Sequence, residues 1–153
     1  MKTNRVVVLI GFLAYVASFF LIAVKETNAT SSNAGFEGYW CAYIALVSPW
    51  GHSGMELLRD SALAYFSVLL SGWINPVFII TAAMLLARPH GRPGAFLRIV
   101  VVLLLPACWI VFHNEHLRPW TGYWIWTAAM LVVLFSTMLA REKQDLDVAA
   151  AAA

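Results

Sequence analysis

Apolar residues run without a charge from Val6 to Val24, from Ser61 to Ala87 and from Trp120 to Ala140. At 1.5 Å per residue each run is long enough, as a helix, to cross a hydrocarbon core of about 30 Å. A fourth run, between Arg98 and His113, is shorter. Gly94 to Leu97 extend it, because an arginine near a helix end can lay its stem along the apolar zone and reach the headgroups. The pattern therefore predicts four transmembrane helices, over about 6–24, 61–87, 95–112 and 120–140, joined by a long loop at 25–60 and two short ones.

Four spans put both termini on one side, and the basic residues say which. Lys2, Arg5, Arg88, Arg92, Arg98, Arg141 and Lys143 fall on that side, against Lys25, Arg59 and Arg118 on the other. Basic residues are retained in the cytoplasm, so both termini and the 88–98 loop are expected inside, and 25–60 and 113–119 outside. The first run is longer than the apolar region of a secretory signal and is expected to stay as an anchor.

Composition sharpens this. Of the 153 residues 61% are hydrophobic and only 12% charged, with a net charge of +2. A soluble domain carries about twice that share of charge. The balance excludes a disordered chain, a disulfide-rich secreted scaffold and a nucleic-acid binder, since ten thinly spread Lys and Arg make no phosphate-binding face. The expected fold is an all-α integral membrane protein: one antiparallel four-helix domain over 1–148 with short interfacial helices in the first outer loop, followed by a tail at 149–153. Its expected surroundings are the lipid bilayer of a bacterial inner membrane.

The outer loop changes character twice. Residues 26–35 are polar and rich in turn formers, as in a linker. Gly38 to Pro49 is apolar, aromatic and too short to span, which predicts a helix lying on or dipping into the outer leaflet. Gly54 to Asp60 predicts a short amphipathic helix, with a break at Pro49–Gly51. Small residues four apart (Ala14 and Ser18, Ser67 and Ser71, Ser136 and Ala140) predict faces where helix backbones pack closely.

Candidate chemistry gathers on the outer side. His113, Glu115 and His116 form the densest polar cluster, and with His52 they could ligate a divalent transition metal, because imidazole nitrogens and carboxylates suit such ions. Polar side chains where a span leaves the membrane are the simpler explanation. Cys41 and Cys108 both map to the outer half, making a disulfide between them a candidate, with two inert thiols as the alternative. Trp40, Trp50, Trp109, Trp120 and Trp124 crowd the same side and predict an aromatic floor beneath the loop that could receive a ligand. Within the spans, Gly72, Asn75 and Pro76 predict a kink with a polar side chain at mid-membrane, and Pro106 predicts a second kink.

Mid-span Asp, Glu, Lys and Arg are missing, and ion paths and proton relays usually need them. The leading expectation is a non-catalytic accessory, regulatory or immunity-type protein that meets a membrane-protein partner, or a second copy of itself, through its periplasmic loop and helix surfaces. The alternatives are an enzyme or redox protein with a metal, quinone or lipid site around His113, Glu115 and His116, and an oligomeric pore or carrier lined by Ser71, Asn75 and Thr81.

Overall fold

A computed structural model describes residues 2–26, 35–87, 92–114 and 117–152. In chain order they form helix α1 (Lys2–Ser18), strands β1 (Ile22–Glu26) and β2 (Gly35–Glu37), helix α2 (Gly38–Val47), a 3₁₀ turn (Ser48–Trp50), helices α3 (His52–Asp60), α4 (Ala62–Ala87) and α5 (Arg92–Asn114), strand β3 (Leu117–Pro119) and helix α6 (Thr121–Ala152). The fold is mostly helical. Two helical stretches, Ala62–Ala87 and Gly94–Phe112, are long and apolar enough to cross a membrane, while Arg5–Ser18 and Thr121–Ser136 are apolar but shorter.

The first run departs from expectation: the helix stops at Ser18, and Ile22 to Val24 belong to a strand. Hydropathy is blind to this change, because Ala23 and Val24 are as buried in the strand as core helix residues are. The end of α1 has a local cause. Ser18 turns its hydroxyl back onto the Tyr15 carbonyl at 2.6 Å, and the N–H groups of Phe19, Phe20 and Leu21 bond three residues back, to Val16, Ala17 and Ser18. Such tightened bonds close a helix instead of continuing it.

The strand then finds partners that the sequence pattern did not announce. β1 is the central strand of an antiparallel sheet ordered β2-β1-β3, in which Val24 sits opposite both Phe36 and Pro119. The sheet joins three helix ends. Gly38 and Tyr39, at the start of α2, donate their N–H groups to the carbonyls of Leu21 and Phe19, so an orphan donor set and an orphan acceptor set satisfy each other. Trp120, just before α6, donates to the Ala23 carbonyl at 2.7 Å.

Below the sheet, α1 packs chiefly on α6 and α4 chiefly on α5, with α1–α4 contacts joining the pairs. Their common core holds Val8, Tyr15, Ile74, Phe78, Leu85, Val101, Met130 and Val133, all nearly inaccessible. Small residues allow two close approaches. At Gly11 an added methyl would stand 2.7 Å from Val133 Cγ2, and at Gly72 it would overlap the Ala45 carbonyl. The second is backbone against backbone and fixes α2 alongside α4. Ser61, extended at φ −154° and ψ 106°, separates α3 from α4 and caps α4 by accepting the Ala64 N–H at 3.2 Å. Pro76 and Pro106 lie inside helices that run through them.

Candidate functional site

The sheet end of the bundle holds a half-open cavity of about 570 Å³. One stripe of α4 forms its long wall: Tyr65, Val68, Ser71 and Asn75 recur every three or four residues, and ten residues of helix extend it for about 15 Å. Opposite stand Cys41, Ala42 and Ala45 of α2. Cys108, Val111 and Phe112 of α5, with Val24, Phe36 and Leu117 of the sheet, make the remaining sides. Pro49, Gly54 and Leu57, from the 3₁₀ turn and α3, line it near the Tyr65 end of the stripe.

Asn75 closes the other end, where three helices meet. Its Oδ1 accepts the Tyr15 hydroxyl of α1 at 2.9 Å and the Trp126 indole N–H of α6 at 3.0 Å. Tyr15 is 2% exposed and packs on Phe78 with ring centroids 4.5 Å apart and on Phe19 at 5.0 Å. The polar group at the bottom of the chamber is thus held by a buried aromatic wedge rather than by a loop.

The lining is apolar with neutral polar punctuation. Among the described lining residues there is no Asp, Glu, His, Lys or Arg. The hydroxyls of Ser18 and Ser71 donate to carbonyls of their own helices, Tyr15 at 2.6 Å and Val68 at 2.8 Å. Cys41 Sγ lies 3.9 Å from the Phe36 carbonyl, and burial pushes its thiol up to about 11, the Glu37 charge acting in the same direction.

Several expected site residues lie elsewhere. Trp40, Trp50, Trp109, Trp120 and Trp124 do not make a floor: each is between 44% and 68% exposed, and none lines the cavity. They form an outward belt instead, with Trp109 against Trp124 at 5.7 Å and Lys25 Nζ over the Trp120 ring at 4.1 Å. Helical geometry is the reason, since Trp124 and Trp126 are neighbours in sequence but point about 200° apart, so only Trp126 turns inward.

His52 stands on the exposed side of α3 and pairs with Glu56 at 3.2 Å, away from the lining. His113 enters only as a backbone position near the end of α5, and Glu115 and His116 lie outside the described residues. Among the described residues no three His, Cys, Asp or Glu side chains group to hold a metal. Cys41 and Cys108 are free thiols, so the candidate disulfide is not formed, although both line the same cavity. Thr81 is buried in the core and bonds to the Val77 carbonyl, which separates it from Ser71 and Asn75.

Tyr15 and Trp126 carry the site's hydrogen bonds and were not singled out as ligand-contacting residues. The available signal for Tyr15 was a phenol inside an otherwise apolar helix, since a buried hydroxyl needs a partner. The chain matches no protein-family model, no curated protein and no solved structure.

Proposed function

We propose that the protein spans a bacterial inner membrane with four antiparallel helices, both termini in the cytoplasm, and serves as a non-catalytic binding protein whose chamber takes a small apolar molecule from the outer leaflet. The observation that carries this reading is the cavity itself. Its volume of about 570 Å³ lies in the range of small-molecule sites, and its mostly apolar wall with a few fixed polar groups matches their usual chemistry.

Membrane embedding is supported by where the apolar surface lies. Leu9, Ile10, Leu13, Leu63, Phe66, Phe96, Leu103, Val132 and Phe135 project outward from all four long helices, far beyond what a soluble monomer exposes. The outward faces of α2, with Tyr39, Tyr43, Ile44 and Val47, suit the same surroundings, and the exposed polar residues of α3 suit the headgroup zone. A binding role fits the chemistry of the wall. Acid–base catalysis needs a group that exchanges protons near neutral pH, and no described lining side chain is a carboxylate, an imidazole or an amine.

Native mass spectrometry of the full chain released from lipid nanodiscs tests the proposal. The chain is expected to retain a non-covalent small-molecule mass, and Val68→Trp, which fills the middle of the chamber, is expected to lose it while still unfolding cooperatively. A bare wild-type chain, or equal retention by wild type and the cooperatively folded V68W, would overturn it.

A further inference from the structure

The chamber offers its occupant no described charge, and the open polar groups on its wall include the Asn75 amide and the Tyr123 hydroxyl, which is buried with no partner among the described residues. An indole N–H can only donate, so the Asn75 atom that faces Trp126 is the carbonyl oxygen, and this fixes the orientation of the whole amide. The same oxygen takes the Tyr15 hydroxyl, which fills both of its lone pairs. What Asn75 has left for the cavity it lines is the Nδ2 amide, a pair of N–H donors to which no described residue offers an acceptor. The protons of Ser18 and Ser71 are already committed to helix carbonyls. An anionic headgroup would lose its water here with no described lining cation to replace it, and a cationic one would meet no described lining carboxylate.

We infer that the occupant is a neutral molecule with a carbonyl group on an apolar body, its carbonyl oxygen accepting the Asn75 Nδ2 N–H while its body lies along Val68 and Tyr65 toward α3. The inference rests on the reading of the chamber as a binding site and adds the chemical class of the ligand. A carbonyl is the group that answers the amide most completely, because it brings acceptor lone pairs and no proton in need of a partner of its own. Two membrane constituents carry that chemistry: the ring of a quinone and the ester of an acylated lipid.

The test uses the full chain in nanodiscs and four probes: a short-tailed benzoquinone, a twelve-carbon methyl ester, an alkane of similar length and the corresponding fatty-acid anion, with the alkane as the carbonyl-free reference. At least one carbonyl probe is expected to bind about tenfold more tightly than the alkane, the contribution of one hydrogen bond in a dry site. Which of the two does so identifies the source. Asn75→Leu is expected to abolish that preference while leaving alkane binding in place. The infrared carbonyl band of the ¹³C-labelled probe is expected to shift to lower wavenumber on binding to the wild-type protein, a readout that holds even if the N75L variant folds poorly. Equal affinity for carbonyl probes and alkane, an unshifted band, or tighter binding of the fatty-acid anion overturns the carbonyl inference and leaves the apolar chamber standing. Binding of no probe, with the same result in V68W, overturns both.

Discussion

Replacing Asn75 by leucine removes the acceptor shared by Tyr15 and Trp126, and leaves two part-buried donors with no described side chain to take its place. Leaving buried donors unpaired costs about 1–3 kcal/mol, while a hydrogen bond between membrane helices contributes on average about 0.6 kcal/mol. Tyr15→Phe alone is therefore expected to lose under about 1 kcal/mol and N75L more. In the N75L background Tyr15→Phe is expected to cost nothing or to restore stability. Reversible unfolding in mixed micelles reads the cycle, and additive losses would show that the three side chains are not coupled. Cys41 gives a second residue-scale expectation. With its thiol pushed up to about 11, about one part in a thousand is thiolate at pH 8. Alkylation of the folded protein is therefore expected to be slow at pH 8 and to rise about tenfold per pH unit until near pH 11, whereas the denatured chain reacts as an ordinary thiol. Intact-mass kinetics against pH check this, and a plateau near pH 9 would contradict it. Asn75 was legible in the sequence as a polar residue beside a proline in an apolar span. Its partners were not, because a hydropathy pattern records that Tyr15 and Trp126 tolerate an apolar setting and says nothing about which helix each will face.

Elements differ in how much of themselves they display in sequence. α4 could be read almost to the residue, since the charge-free run from Ser61 to Ala87 leaves little freedom for its ends, whereas α5, expected over 95–112, runs from Arg92 to Asn114 with Arg98 inside it. α2 and α3 were legible as a short apolar helix and an amphipathic one, separated by Pro49–Gly51. The sheet was not legible. β1 continues the apolar run of α1, and β2 and β3 are three residues each, too short to establish an alternation. Close approach between elements was legible only as a preference for small residues, and the glycines separate into two kinds. Gly72→Ala drives a methyl into the Ala45 carbonyl, a backbone group that moves only if all of α2 moves. Gly11→Ala meets a methyl of the Val133 side chain at 2.7 Å with the Ala129 carbonyl behind it at 3.3 Å, so the first group asked to move is a side chain and not backbone. Overpacking costs about 1–3 kcal/mol where the surroundings cannot yield. G72A is therefore expected to lose that much stability and to speed Cys41 alkylation by loosening α2, and G11A to lose clearly less. The order of the two unfolding midpoints checks the argument, and equal losses would mean that α2 is not held against α4.

For the molecule as a whole, the apolar lengths of the four long helices are unequal, and the sheet accounts for the inequality. Arg5 to Ser18 covers only about 21 Å as a helix, short of a hydrocarbon core of about 30 Å, whereas α4 covers about 39 Å. Non-helical backbone is tolerated at membrane depth only where protein covers it and its polar groups are paired. β1 meets both conditions, since it is paired on both sides and its Ala23 and Val24 are buried. On the proposed four-span reading a strand makes up the shortfall of α1, and the extra length of α4 is flanked by α2 and α3, with the chamber between them. In this arrangement α3 lies on the sheet side of the bundle and the end of α6 on the opposite side. On the proposed topology the seven basic residues assigned to that opposite side, against three on the sheet side, would face the cytoplasm. In a chain from which Cys41 and Cys108 have been replaced by alanine, a cysteine at Met55, half-exposed on α3, is therefore expected to react with a membrane-impermeant maleimide added outside intact cells. A cysteine at Gln144, beyond the apolar part of α6, is expected to react only after the membrane is opened. Labelling of Gln144→Cys but not Met55→Cys in intact cells would invert the topology, and labelling of both would mean that the polypeptide crosses an even number of times between them.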